Sequence, residues 1–145
     1  MSQQLTRRKL LRNTAWAGIG IWTAAGTGAL GASRSPNEKL NIAGIGVGGQ
    51  GGWDIGNCAS ENIVALCDVD DRRAAESFTR FPNAKRYRDF RKMLEEMDRQ
   101  IDAVVVGTPD HAHAPPAVMA MRMGKHCYCE KPLAHSVHEV RTMIE

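Results

Sequence analysis

The sequence predicts an α/β fold, a doubly wound parallel sheet, on three observations. Short apolar runs alternate with helix-like stretches from Leu40 onward. The run over residues 63–67 is continuously apolar, as a strand covered on both faces is. A glycine-rich turn separates the first run from the first helix, where open α/β sheets bind ligands.

The elements follow in order. Residues 40–45 are apolar and end in glycines, hence a strand, and a helix starts at Gly49 and runs to about Ala59. Residues 63–67 form the second strand, and 71–81 are helical in composition until Pro82-Asn83 ends them. Residues 85–87 suit a short strand. Over 89–99, Phe90, Met93, Leu94 and Met97 recur at helical spacing. Residues 101–106 read as the strongest strand, with three successive valines. Pro115-Pro116 opens a helix through Met123, because proline is tolerated in a first turn. Gly124 ends that helix and residues 125–129 return to strand. Ser136 and Glu139 have capping-box spacing, so a last helix begins near Val137. Strands alternating with helices make βαβ units, and right-handed crossovers wind them into two layers about the sheet.

The 145 residues suffice for one ordinary domain, and 43% hydrophobic with 24% charged residues is a globular composition. The net charge of +3 is unevenly placed. Arg7, Arg8, Lys9, Arg12 and Arg34 precede Pro36 with no acid among them, which leaves 14 cations against 16 acids in the remainder. No basic patch with interleaved aromatics is present, so nucleic acid is not an expected partner.

Residues 6–12 resemble the twin-arginine export signature, a hydroxyl residue before two arginines and an apolar residue soon after. Residues 14–32 are uncharged, Ala/Gly-rich and only mildly apolar, a poor membrane span. The small residues Ala29, Gly31 and Ala32 suit a cleavage site. Residues 1–35 are therefore expected to be a signal peptide and linker, and 36–145 the folded domain. The export machinery is then a partner, the location is periplasmic or otherwise extracytoplasmic, and an uncleaved signal would tether the protein. That route carries folded proteins, which suits one that acquires a nucleotide first. Cys58, Cys67, Cys127 and Cys129 read as small buried hydrophobes, and the Cys127/Cys129 spacing is wrong for zinc.

Four constellations carry chemistry. Gly44-Ile45-Gly46-Val47-Gly48-Gly49 is G-x-G-x-x-G between a strand and a helix. In that context Gly44 serves the tight turn, Gly46 the approach of backbone to a pyrophosphate, and Gly49 close helix–strand packing, with Val47 and Gly48 in the same loop. The phosphates would meet the helix N-terminus. Asp68 ends the second strand, where the fingerprint expects an acid for the ribose hydroxyls, roughly 20 residues on. Its charge favours NAD over NADP, and Arg72 with Arg73 leaves NADP as the alternative. Asp70 and Asp71 read as helix caps. Thr108-Pro109-Asp110-His111-Ala112-His113 follows the valine strand, with His113 the expected polar contact near the nicotinamide. Two histidines without a third ligand do not make a metal site, so none is expected. Last, Glu130-Lys131-Pro132 ends the final strand. Lys131 is placed for proton transfer during hydride chemistry, Glu130 for holding its charge, and the Lys131–Pro132 bond for a cis corner.

Strand–GxGxxG, acid, TPDHxH and GKHxYxEKP, in that order over residues 38–145, resemble the Gfo/Idh/MocA family of NAD(P)-dependent oxidoreductases. The resemblance implies a Rossmann domain followed by an α/β domain with an open sheet that shapes a substrate site. It implies Lys131 as the catalytic lysine; Gly44, Gly46 and Gly49 at the pyrophosphate; Asp68 at the ribose; and Thr108, Pro109 and His113 beside the nicotinamide. Sugars, polyols and related compounds are the implied substrates, and a homo-oligomer the implied full-length assembly. Three functions fit: an exported oxidoreductase, a glycosidase that retains NAD, and a non-catalytic nucleotide-binding module. The substrate domain is absent from these 145 residues, so the chain alone is expected to bind dinucleotide without turnover.

Overall fold

The structure, a computed structural model, describes residues 39–145. The export segment expected over residues 1–35 lies outside them. Five parallel strands form one sheet in the order β3-β2-β1-β4-β5. These are β1 (Asn41–Ile45), β2 (Asn62–Cys67), β3 (Lys85–Tyr87), β4 (Ala103–Val106) and β5 (His126–Cys129). The helices are α1 (Gln50–Asn57), α2 (Ala75–Arg80), α3 (Phe90–Glu96), α4 (Ala114–Arg122) and α5 (Val137–Ile144). The doubly wound α/β fold is therefore the one the sequence predicts.

Alternation along each strand builds two cores. Ala43, Ile45, Ala65, Cys67, Val104 and Val106 face Met93, Leu94 and Met97 of the α3 segment and Ala117 and Ala120 of α4. Ile42, Leu66 and Val105 face the other way, toward Ile55 of α1 and Phe78 of α2. Most of these side chains are fully buried, and each large one contributes on the order of 2 kcal/mol by leaving water. The chain order reverses between β1 and β4, so their carboxyl ends diverge into a crevice.

Local chemistry sets the helix bounds. Asp89 caps α3 by accepting from Arg91 N at 3.0 Å, and Ser136 with Glu139 completes a capping box on α5. Residues 71–73 form a turn instead of the expected helical start, with Asp70 Oδ1 accepting from Arg72 N at 2.9 Å. The competing local hydrogen bond delays α2 to Ala75. Beyond Glu96, a 3-10 turn at Asp98–Gln100 replaces the expected last turn of α3.

The glycine fingerprint needs a larger correction. Gly44 is inside β1, paired with Leu66 on one side and Val105 on the other, so it makes no turn. The turn residue is Gly46, with φ +73° and a Cβ position 2.6 Å from the backbone N of Thr108. Gly49 precedes α1 with φ +56°, and a Cβ there would meet only the Arg73 guanidinium at 3.9 Å. Close packing falls on Gly51 instead, where a Cβ would stand 1.8 Å from the Gly46 carbonyl oxygen and 3.1 Å from Gly107 Cα. The working frame is Gly46-Val47-Gly48-Gly49-Gln50-Gly51, a second G-x-G-x-x-G two residues along.

The two frames predict different mutant rankings. Gly51→Ala forces backbone apart and should cost at least about 3 kcal/mol. Gly49→Ala should cost only backbone strain, about 1–3 kcal/mol. Urea unfolding of both variants checks this, and a more damaging Gly49→Ala would restore the first frame.

Candidate functional site

The carboxyl ends of β1, β2 and β4 open on a cleft of about 520 Å³. Gly46 and Gly48 form one wall, Asp68, Val69 and Arg73 another, and Gly107, Thr108 and Pro109 a third. Each wall is a loop leaving a parallel strand, so the sheet register sets their spacing. Gly46 N donates to Cys67 O at 2.8 Å and Gly107 N to Ile45 O at 2.9 Å, continuing the ladder to the floor of the cleft.

Asp68 is the polar centre of this cleft. Its Oδ2 accepts from Val47 N at 2.9 Å and Gly48 N at 3.2 Å, and its Oδ1 from Asp70 N at 2.9 Å. Three backbone donors orient the carboxylate, yet two oxygens have roughly four lone-pair sites, so capacity for a hydroxyl remains. Val47 and Gly48 thus serve the loop through Asp68. The Cys67 thiol beside it is pushed up to about 12, first by burial and then by Asp68 and Asp89. No thiolate chemistry is available there.

Arg72 does not reach the cleft. Its side chain is 94% exposed and lies 3.6 Å from Asp70. Arg73, one residue on, lines the cleft beside Gly49, and Arg88 lines it from the β3 end while paired to Asp71. Arg73 has no ion-pair partner among the described residues. The sequence marks both arginines, and the turn at 71–73 rotates them apart so that Arg73 alone of the two lines the cleft.

His113 also departs from expectation. It is 2% exposed, with Nε2 2.6 Å from Thr108 O and Nδ1 2.7 Å from Pro132 O. Both ring nitrogens lie against backbone carbonyls, and the side chain does not line the cleft. It staples the loop after β4 to the corner after β5. His111 lines the cleft in its place, with Nδ1 3.6 Å from Asp110. The His111 backbone N–H, ahead of the nearby His135, holds the exposed Asp110 carboxyl below its ordinary range.

The Glu130-Lys131-Pro132 corner follows β5 directly, and its Lys131–Pro132 peptide is cis. Glu130 N donates to Val106 O at 3.0 Å, tying the corner to the end of β4. Lys131 is exposed and its ammonium has no ion-pair partner among the described residues. Glu130 does not hold that charge, contrary to expectation. Its carboxylate accepts from Tyr128 OH at 3.0 Å and from the Lys131 backbone N at 3.1 Å. Among the described residues no cluster of three His, Cys, Asp or Glu could hold a metal.

Of the residues marked in the sequence, Gly46, Gly48, Asp68, Thr108 and Pro109 meet in the cleft. Gly44, Val47, Gly49, Arg72, His113, Glu130 and Lys131 do not line it. The residues that do line it fit a dinucleotide. A side chain at Gly46 or Gly48 would fill the wall, Asp68 keeps acceptor capacity, and Arg73 offers an unpaired cation.

Fold and cleft together define a class, the α/β domains that hold a dinucleotide at the point where strand order reverses. Residues 39–145 match the oxidoreductase family with an NAD-binding Rossmann fold, Gfo/Idh/MocA, and the chain belongs to it. Inositol 2-dehydrogenase of Rubrobacter xylanophilus is 33% identical over 77% of this chain and 33% of its own length. A glycosyl hydrolase family 109 protein of Solibacter usitatus is 35% identical over 96% of this chain and 35% of its own. Among solved structures, myo-inositol dehydrogenase from Lactobacillus casei, in complex with NAD(H) and myo-inositol, superposes with a TM-score of 0.65. It is 30% identical, over 73% of this chain and 32% of that one. The chain spans about a third of the length of these relatives.

The histidine staple makes a prediction. His113→Phe keeps the ring volume but removes the ring N–H from its carbonyl partner, and should lower stability by about 1–3 kcal/mol. Thermal and urea unfolding measure it. A neutral result would show that the carbonyls do not depend on the ring.

Proposed function

We propose that the chain is the nucleotide-binding part of an exported NAD-dependent oxidoreductase that acts on a secondary hydroxyl of a polyol, sugar or related compound. The carrying observation is the cleft itself, where the Gly46–Gly51 turn, Asp68 and the Thr108-Pro109 loop meet at the reversal of strand order. Likeness to inositol dehydrogenases supports the substrate class.

The residues divide the work along the cleft. The Gly46–Gly51 backbone would receive the pyrophosphate at the α1 N-terminus, with Arg73 beside it as a counter-charge. Asp68 would accept from the adenosine ribose and, by repulsion, disfavour a 2′-phosphate, so NAD is preferred to NADP. Val69, 81% exposed at the rim, offers an apolar surface to the base. When bound, NAD supplies the hydride acceptor. The chain's own contribution to the chemistry is Lys131, which would hold or pass a proton at Nζ on the substrate side. The rest of the substrate site, and a homo-oligomeric assembly, belong to a longer polypeptide of the relatives' length.

Export rests on the twin-arginine pattern at residues 6–12. The family 109 likeness covers 96% of the chain, more than residues 39–145 alone. The same observation favours a second reading, in which retained NAD oxidises and re-reduces a sugar during glycoside cleavage, an exception to two-carboxylate hydrolysis. A tightly held cofactor suits a compartment poor in free nucleotide. Glycoside cleavage without net change in nicotinamide absorbance would select the second reading over the first.

Two substitutions test the assignment. Asp68→Asn should weaken NAD binding by about tenfold, near 1.5 kcal/mol, and narrow the preference over NADP. Fluorescence titration with NADH and NADPH reads both, and an unchanged ratio would remove Asp68 from coenzyme choice. In the full-length protein, Lys131→Ala should lower kcat by roughly 10²–10⁴ with little change in NADH affinity. An unchanged kcat would strip Lys131 of its proton-transfer role.

A further inference from the structure

Asp54 stands in the middle of α1, 6% exposed. Its Oδ1 accepts from Gln50 Nε2 at 2.9 Å. Its Oδ2 is buried with no donor. A buried carboxylate oxygen without a donor is costly, and Gln50 serves only the other oxygen. Asp54 lines one groove with Tyr128, whose hydroxyl donates to Glu130, so the carboxyl next to this orphaned oxygen is that of Glu130. Two carboxylates in contact cannot both ionise. Glu130 already receives Tyr128 OH and Lys131 N, so both of its oxygens serve as acceptors. Burial pushes the Asp54 carboxyl up, and Glu130 pushes it further while Gln50 opposes.

We propose that Asp54 is protonated in the folded protein and donates from Oδ2 to Glu130, so that this shared proton positions the Glu130-Lys131 corner against α1. The helix whose first turn faces the phosphate end of the cleft is thereby joined through one acid–acid contact to the backbone carrying Lys131. Asp54 is a positioning residue, acting through Glu130. Its link to catalysis rests on the reading of Lys131 proposed above; the shared proton itself does not.

Other titratable groups surround the pair. Cys58 at the end of α1 is raised first by burial, and Tyr128 on β5 first by its hydrogen bond to Glu130. His126 and Cys127 of β5 line the same groove as Asp54. Among the described residues no cation forms an ion pair with Asp54 or Glu130, so nothing else removes the need for the proton.

The sign of the linkage follows. A folded-state carboxyl raised above its unfolded value stabilises the fold at low pH, and that stability is lost as pH rises through the folded value. The 145-residue chain, labelled at its carboxyl carbons, tests this by nuclear magnetic resonance. Asp54 should titrate above the ordinary aspartate value of about 3.9. Titration at or below that value overturns the proposal. The urea midpoint of the wild type should fall with rising pH across the same window relative to Asp54→Asn. The asparagine amide donates to Glu130 at every pH and removes this site's titration. Asp54→Ala should lie below Asp54→Asn throughout, and equal midpoints for the two would deny the hydrogen bond. NADH affinity should be kept within about twofold in Asp54→Asn and fall further in Asp54→Ala. Failure of the wild type to bind NADH would sink the cofactor reading while leaving the titration to decide the proton.

Discussion

The structure depends on three glycines meeting backbone to backbone. Gly46 leaves β1, Gly107 leaves β4, and Gly51 in the first turn of α1 rests on both. A methyl group on Gly51 would fall within 1.8 Å of the Gly46 oxygen, and one on Gly107 within 2.4 Å of Gly51 Cα. Only bare backbone lets the helix come down onto the strand ends. That approach seats the first turn of α1 against the ends of β1 and β4. It also sets where β4 releases the Thr108 loop, since Gly46 already touches Thr108.

Polar contacts then fasten the loops that the glycines bring together. Asp68 grips the turn after β1, and Ser77 Oγ of α2 donates to Val47 O at 2.6 Å on its other side. His113 bridges the loops after β4 and β5 through two backbone carbonyls. Lys125, 11% exposed, reaches Asp98 and secures the start of β5 to the turn after α3. The edge of the sheet that builds the cleft is thus cross-linked by side chain to main chain, strand by strand. The cleft keeps the Asp68 carboxylate at its centre, with Asp70 on the same wall.

Much of the fold is legible in the sequence because parallel strands are buried on both faces. The continuous apolar runs at 63–67 and 101–106, and the proline and capping signals around 115 and 136, place their elements within a residue or two. The site is legible only in outline. The run from Gly44 to Gly52 contains two overlapping fingerprints, and local pattern cannot say where β1 ends. Pairing of Gly44 with Leu66 and Val105, both far along the chain, decides it. The arginine pair failed for a similar reason, since one Asx turn at Asp70 changes which side chain faces the cleft. His113 carries no local mark of burial, because its partners are carbonyls 5 and 19 residues away. Asp54 stood unnoticed as one acid in a helix, since its neighbour Glu130 comes from the far end of the domain.

Asp68 holds the loop amides of Val47 and Gly48 with one oxygen, and the function proposed above gives the same carboxylate the adenosine ribose. On that reading coenzyme choice and loop shape are a single trait in this domain. A lineage that exchanged this acid to accept a phosphorylated ribose would loosen its own glycine turn in the same mutational step. It would need a compensating donor or acceptor elsewhere before the exchange became tolerable. Inheritance of the acid is then enforced twice, once by the ligand and once by the fold, and a shift of coenzyme becomes an evolutionary event of at least two substitutions.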